Sequence, residues 1–390
     1  MANIGYIQVV RHCNHFCGFC SNPTTPYEHT LESMKLLVDD FVKRKYFGVI
    51  LTGGEPSLHP KLPQICDYAR SKGLHVRMIT NGDKLADEKF AKAMANAGLL
   101  LAHISVYSVH PKTEEVLRGQ PNTLEKAFKA MENCHKYGID ININSVISKY
   151  NASHLHENIE YFIKYHPYIK HFVWNNIDAS MGRAEVNQQQ FIHSLKDLES
   201  SLHKALTLLH NSGRTFRVER VPLCYMSEFA WASTETRKII KGEERIVHFL
   251  DQKQTVRQTR WDHLYVEACE PCSLKLICGG LFNRGEAFDS NELAPVFVEV
   301  EPIIKKVLSD ENDPSYQFES YEQWKEEFKL RLKQYQSEPN HNEYHQVPES
   351  MREKDLEVGM VSQRSQKVYN AKRKQEAKKA STYGTNLDEG

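Results

Sequence analysis

Three of the nine cysteines fall within eight positions, at Cys13, Cys17 and Cys20 in the stretch VRHCNHFCGFCSNP. Spacings of four and three would also put them on one face of a helix, where free cysteine packs as a small hydrophobe. The stretch follows directly on a short apolar run, and Gly18 weakens a helix there, so a loop is expected. Thiolate is the normal ligand of iron-sulfur clusters, and a four-iron cluster held by three cysteines keeps one iron open for chemistry. Zinc is the competing metal; a structural zinc site takes four ligands, with His12 or His15 as the fourth.

The next chemistry-bearing stretch is ILTGGEPSLHP, with Gly53, Gly54, Glu55 and Pro56 at the end of a second apolar run. Two glycines allow close approach of a ligand to the backbone, and the carboxylate beside them can receive a substrate ammonium. A plain turn explains Gly-Gly and Pro but not their coincidence with a cysteine loop.

The background composition limits what these residues can mean. The 390 residues carry 50 basic and 50 acidic side chains, and 40% are hydrophobic. No apolar run approaches the ~20 residues of a membrane span. Balanced charge gives no bias toward nucleic acid, and MANIGYIQVV lacks the parts of a secretory signal. A soluble, cytoplasmic chain in a reducing compartment is expected, where clustered cysteines hold metals or do redox work.

The elements that must position these residues follow from periodicity. Short apolar runs lie at Ile7 to Val10, Val49 to Thr52, Val76 to Thr80, Leu100 to Tyr107, Ile141 to Ile147 and Phe172 to Trp174, with amphipathic helical segments between them. In NTLEKAFKAMENCHKYG, Leu124, Phe128, Met131 and Cys134 recur at helical spacing, with Asn122 capping the start and Gly138 the end. Six such units in series imply parallel strands. The fold class is α/β, a curved partial (β/α)6 barrel in preference to a flat open sheet, with ligands at the C-terminal ends of the strands. A long helix is expected over Gln188 to Asn211, with Phe191, Leu195, Leu198, Leu202 and Leu206 on its apolar side. The expected organisation is a core over 1–214, a small cysteine-rich extension over 215–310, and a charged helix and polar tail over 311–390. The tail from about Pro339 is poor in aliphatics, and its basic run AKRKQEAKKA reads as a solvated segment.

Taken together, CX3CX2C after the first strand and GGEP after the second resemble the radical S-adenosylmethionine (SAM) enzymes. VRMITNG, HISVYSVHPKTEEVLRGQPNTLEKAF, ININSVISKYN and ASMGRA extend the resemblance over most of the first 280 residues, toward the subgroup with SPASM or twitch extensions. The resemblance implies a radical SAM core in which Cys13, Cys17 and Cys20 ligate a 4Fe-4S cluster whose open iron is chelated by SAM. It further implies Phe19 near the adenine, Gly53, Gly54, Glu55 and Pro56 holding the methionine amine, and Ser105, Asn144 and Arg118 as ribose or carboxylate contacts. The chemistry implied is reductive cleavage of SAM to a 5′-deoxyadenosyl radical that abstracts a substrate hydrogen atom, with the protein orienting SAM and excluding water.

A second cysteine group, Cys269, Cys272 and Cys278 in ACEPCSLKLICGGLF, is joined by Cys224 from VPLCYM. Four cysteines make a closed site, read as one auxiliary 4Fe-4S cluster; a zinc knot and core packing are the alternatives. A full SPASM pattern needs seven cysteines, and Phe282 stands where the next would be, so the extension looks like the shorter twitch arrangement. Cys66 and Cys134 sit on amphipathic helices and read as packing residues. The leading functional expectation is peptide or protein modification by a maturase. A first strand that begins almost at Met1 leaves the leader peptide to the extension, the tail or a separate leader-binding protein. The alternatives are a small-molecule dehydrogenase or cofactor-biosynthesis enzyme, with the terminal NLDEG counting against the molybdopterin-pathway version, and a noncatalytic iron-sulfur or zinc scaffold. An electron donor such as flavodoxin or ferredoxin is the expected redox partner.

Overall fold

A computed structural model describes residues 3–22, 25, 27–250, 255–309, 320–337 and 343–345. All six expected strands form: β1 (Ile4–Val10), β2 (Gly48–Gly53), β3 (His75–Thr80), β4 (Leu101–Ser105), β5 (Asp140–Ile147) and β6 (His171–Asn176). Between them lie α1 (Leu31–Lys43), α2 (Leu62–Ser71), α3 (Glu88–Asn96), α4 (Pro111–Arg118), α5 (Thr123–Lys136) and α6 (Leu155–Tyr165). Each strand pairs in parallel with the next, as strand-helix alternation requires.

The sheet does not stop at six strands. After α7 (Gly182–Val186), α8 (Gln188–Phe191) and α9 (Leu195–Asn211) comes β7 (Thr215–Glu219), parallel to β6. Beyond α10 (Thr234–Lys241), β8 (Arg245–His248) joins the opposite edge, parallel to β1. Two antiparallel strands, β9 (Thr255–Gln258) and β10 (Glu343–His345), complete the order β10-β9-β8-β1-β2-β3-β4-β5-β6-β7. The α/β parallel sheet is therefore an eight-strand parallel arc rather than six, and the expected boundary at 214 falls just before one of its strands. TFRVE was short enough to read as the start of an irregular extension.

Alternation along the strands separates two faces. Ile7, Val9, Val76, Met78, Ala102, Ile104, Phe172 and Trp174 are buried against the helices in one continuous core. The other face carries Tyr6, Arg77, His103, Asn142, Asn144, His171, Arg217, Glu219 and Arg245, which meet across the concave side of the arc. At the seam, Arg245 of β8 donates twice to Glu219 of β7, at 3.1 and 3.2 Å, linking strands at opposite ends of the parallel run.

Two expected helices differ in detail. The segment Gln188 to Asn211 is broken at Ile192, because Ser194 forms a capping box with Asp197 and starts α9 afresh. Asn122 precedes α5 but in the left-handed region, without a side-chain capping bond. Cys66 and Cys134 are fully buried in the core, as expected. The charged helix α12 (Tyr321–Ser337), after α11 (Glu301–Leu308), docks on the C-terminal end of α10: the Trp324 indole and the Arg331 guanidinium donate to the Ile240 carbonyl. Apart from β10, the remainder of the expected tail, including the basic run, lies outside the described residues. Among those residues no helix is long and apolar enough to cross a membrane.

Candidate functional site

The site forms where β1 to β4 end. A register shift between Gln8 and Val10 bends the end of β1, and the chain enters a loop carrying Cys13, Cys17 and Cys20. The thiols are close enough to act on one another: burial first, then the Glu55 carboxylate and the other two cysteines, push the Cys13 thiol up to about 12, and burial pushes Cys17 up to about 11. Buried, clustered thiols ionise only against a compensating positive potential, which a bound metal centre is one way to supply.

Gly53 and Gly54 serve a different purpose from the one expected. A Cβ at Gly53 would stand 2.0 Å from the Val10 carbonyl oxygen, and one at Gly54 would stand 2.1 Å from that of His12. The glycines let the cysteine loop itself approach, and the Gly54 and Glu55 amides donate to the Val10 and His12 carbonyls at 2.7 and 2.9 Å. Glu55 is buried; Oε1 accepts from the Ser57 amide at 3.0 Å and the Thr80 hydroxyl at 2.7 Å, and Oε2 from the Asn81 amide at 2.7 Å. Burial raises its pKa while these donors oppose the rise. A carboxylate offers about four lone-pair sites, so three donors leave one. Pro56 follows in a short 3-10 turn that Glu55 caps.

Other expected contacts fall into place differently. Ser105 ends β4 and is paired with Asn144, which lies within β5 rather than at its end and accepts from Asn175 Nδ2 at 2.9 Å. Arg118 is fully buried and committed to the protein: Nε donates to Glu114 at 2.8 Å, Nη2 donates to the Ser105 carbonyl, and the guanidinium lies 4.6 Å from the Tyr107 ring centroid. It braces the loop, since the Phe16 amide donates to the Arg118 carbonyl at 2.9 Å. A direct carboxylate contact is not its visible role. Phe19 is buried edge-on to Tyr107, with centroids 4.8 Å apart, and packs with Phe191 at 6.1 Å.

Several residues went unread in the sequence. Asn81 contacts the Cys13 sulfur at 4.0 Å and donates to Asn14 at 2.8 Å; Asn14 in turn donates to Asp83 at 2.7 Å. The His15 ring lies between Asp83 and Arg118, at 3.6 and 3.4 Å, and burial holds its pKa down to about 4. It is thereby engaged away from a fourth-ligand role. From the opposite side the ASMGRA stretch grips the loop: the Arg183 and Ala184 amides donate to the Cys20 carbonyl at 2.9 and 3.2 Å, and Arg183 Nε donates to the Cys17 carbonyl at 2.8 Å. Phe191, assigned from periodicity to the long helix, packs instead on Gly18, where a Cβ would lie 2.2 Å from its ring.

The second cysteine group also assembles. Cys224, Cys269, Cys272 and Cys278 line one recess together with Tyr265 and Leu274. The Gly280 amide donates to the Cys278 sulfur at 3.2 Å and the Val296 amide to that of Cys272 at 3.4 Å. Burial raises the Cys278 thiol to about 11. Among the described residues, no three His, Cys, Asp or Glu side chains converge on one point closely enough for a single metal ion.

The arc of parallel strands thus carries a three-cysteine loop at the C-terminal end of β1. Residues 7–162 match the family model described as the radical SAM superfamily. Curated relatives include the Fe-coproporphyrin III synthase of Methanosarcina barkeri, 29% identical over 148 residues, or 37% of each chain. The 7,8-dihydro-6-hydroxymethylpterin dimethyltransferase of Methanocaldococcus jannaschii is 32% identical over 34% of this chain and 28% of its own length, and the GTP 3′,8-cyclase of Helicobacter pylori 29% identical over 42% and 53%. The chain thus spans about half or less of the length of each of these. Among solved structures, Streptococcus suis SuiB bound to S-adenosylmethionine aligns at TM-score 0.55 and 15% identity over 75% of this chain and 76% of that one. Native anSMEcpe with AdoMet and the Kp18Cys peptide aligns at 0.55 and 15% over 85% and 98%.

Proposed function

We propose that the chain reductively cleaves SAM and uses the resulting radical to take a hydrogen atom from a substrate. The observation that carries this reading is the placement of Cys13, Cys17 and Cys20 on one loop braced against Glu55 and the ends of β3 and β4. The three cysteines would hold a 4Fe-4S cluster with one iron left for SAM. When bound, the reduced cluster and SAM together supply a radical able to remove an unactivated hydrogen. The protein's share is positional. Glu55 would receive the methionine amine through its remaining lone pair, Gly53, Gly54 and Pro56 shape that corner, and Phe19 and Tyr107 form an apolar wall suited to the adenine side. Ser105 and Asn144 would line the ribose and carboxylate side.

Cys224, Cys269, Cys272 and Cys278 would hold one auxiliary cluster in a twitch-like extension over 215–310. Four sulfurs around a shared recess, rather than about one point, suit a cluster better than zinc. An outside electron donor such as flavodoxin or ferredoxin would reduce the first cluster. Peptide modification rests on the cysteine-rich extension. The small-molecule reading is favoured by the charged lining of the arc, which suits a polar substrate drawn between the strands.

Anaerobically reconstituted protein given SAM and dithionite is expected to release 5′-deoxyadenosine, and Cys17→Ala to lose that release. Iron should approach about eight per chain, for two 4Fe-4S clusters. Intact clusters with no release, even with candidate substrates, would refute the catalytic reading, and about four irons would refute the auxiliary cluster.

A further inference from the structure

Asn81, in the TNGD turn that follows β3, touches both halves of the candidate site. Its backbone amide donates to Glu55 Oε2 at 2.7 Å, and its side-chain Nδ2 lies 4.0 Å from the Cys13 sulfur. The backbone bond needs no particular side chain at this position. What the side chain adds is therefore separable from the hold on Glu55.

The orientation of that side chain is fixed by its neighbours. Oδ1 accepts from the Asp83 amide at 2.9 Å, the Asx turn that suits asparagine to a tight bend, so Nδ2 faces the cysteine loop. There one N–H is donated to Asn14 Oδ1 at 2.8 Å, and Asn14 Nδ2 donates onward to Asp83 Oδ2 at 2.7 Å. A carboxylate only accepts, so this chain of donors runs in one direction and leaves the second Nδ2 hydrogen for sulfur. The Asp83 carboxylate is in turn paired with Lys126 of α5 at 2.9 Å. Cys13 also takes the His15 amide at 3.4 Å; among the described residues it is the one cysteine of the loop whose sulfur accepts from N–H groups.

We propose that Asn81 is a positioning residue that donates an N–H to the Cys13 sulfur and so sets the reduction potential of the cluster which Cys13, Cys17 and Cys20 would hold. The inference rests on the proposed radical SAM function. An electron delivered by an outside donor such as dithionite adds negative charge to a thiolate-held cluster, and N–H donors to its sulfurs stabilise that charge and raise the potential. Donors confined to Cys13 place this stabilisation on the side of the loop that Asn81 ties to Glu55. One residue thus serves the two groups that must act together, Glu55 through its backbone and Cys13 through its side chain.

The test is a redox titration of full-length, anaerobically reconstituted protein, following by electron paramagnetic resonance the reduced-cluster signal that changes when SAM is added. That response separates the first cluster from the second. Asn81→Ser keeps an oxygen able to close the turn on the Asp83 amide but is too short to reach the sulfur. It should lower the ratio of reduced to oxidised cluster at a given potential by roughly three- to tenfold, the worth of one hydrogen bond, tenfold being about 59 mV for a one-electron couple. SAM affinity should be unchanged, since the backbone amide still holds Glu55. Asn14→Ala removes the other partner of Nδ2 and should leave the midpoint where it is. The proposal is overturned if Asn81→Ser titrates as wild type does, or if Asn14→Ala shifts the midpoint equally, which would make these side chains a brace for the loop and nothing more. Should Asn81→Ser not take up iron, Asn81→Asp decides: it keeps the acceptor for Asp83, puts a charge in place of the donor and should lower the midpoint further, and a wild-type midpoint in it overturns the proposal. A lowered midpoint in the variants, with no 5′-deoxyadenosine released by wild type, would sink the catalytic reading and leave this one standing.

Discussion

Replacing Glu55 by Gln removes the charge and keeps one acceptor oxygen, which can stand in for Oε1 toward Ser57 and Thr80 while the Asn81 amide loses its acceptor, so it disturbs the chemistry more than the scaffold. Glu55→Gln is expected to retain its fold and to lower 5′-deoxyadenosine release at least about tenfold, as the loss of one charge-assisted contact to the methionine amine requires. Glu55→Ala should in addition cost about 1–3 kcal/mol, because it also strands the Ser57 amide and the Thr80 hydroxyl; thermal melting beside a SAM-cleavage assay distinguishes the two. Arg118 makes the opposite case. Its guanidinium is buried on Glu114, and Arg118→Met leaves that carboxylate with only the Tyr107 and Ser108 amides, at 2.9 and 2.8 Å. Breaking a buried pair in this way costs roughly 3 kcal/mol or more, so the variant should melt early and lose iron. Substrate-like rescue by excess SAM would instead point to a direct contact. At this scale the thiols and Glu55 were legible by type and spacing as candidates, but what holds them was not. Asn81, Arg118 and Arg183 act through hydrogen bonds to residues between 26 and 166 positions away, which no local pattern records.

Among the elements, α7 has little independent means of support, with five residues and no side-chain cap, and it is held by its contacts with the cysteine loop. Gly182 precedes Arg183 with φ 69°, and a Cβ there would lie 2.6 Å from the Cys20 carbonyl oxygen. Gly182→Ala therefore incurs both backbone strain and a clash with the loop, whereas Gly138→Ala, at φ 73° with open space around it, incurs the strain alone. Iron analysis after reconstitution should show Gly182→Ala falling toward about four per chain, the auxiliary cluster by itself, and Gly138→Ala close to wild type. Equal loading in both variants would mean that α7 does not hold the loop. The six strands were legible because their apolar positions recur between turn residues, and Cys66 and Cys134 because their helices show a clear apolar face. The break at Ser194 was not, since Phe191 continues the apolar stripe of α9 and periodicity cannot see a capping box override it. The polar lining was visible as alternation in VRMIT, LAHIS and TFRVE, which departs from the continuous apolar runs of strands buried on both faces.

At the scale of the whole molecule, the arc is completed by side chains where backbone pairing stops. Glu219 of β7 bonds Arg245 of β8, and Glu235 at the start of α10 accepts from the Arg220 amide at 3.1 Å and packs on Gly279 beside Cys278. The seam thus joins the parallel arc to the second cysteine group. The two carboxylates titrate against each other. Burial works against the ionised form of Glu219, but the Arg245 and Arg220 guanidiniums outweigh it and keep the group charged. Burial and the Glu219 charge together raise the pKa of Glu235. A carboxyl raised in the folded state contributes stability that is complete below its unfolded pKa of about 4.3 and is lost as pH rises through the folded value. Wild-type protein should therefore lose part of its stability between about pH 4.3 and neutrality, and Glu235→Gln, which keeps the amide acceptor without the charge, should flatten that slope. Arg245→Met should do the reverse, leaving Glu219 without its main partner at a cost of roughly 2 kcal/mol near neutral pH, between the values for exposed and fully buried pairs. Denaturant melts of the three proteins at pH 5 and pH 7.5 test this directly: a wild-type slope unchanged by Glu235→Gln would remove the seam from the pH dependence. An Arg245→Met variant as stable as wild type would show that hydrogen bonds within the two sheet edges, and not the ion pair across them, hold the ends of the arc together.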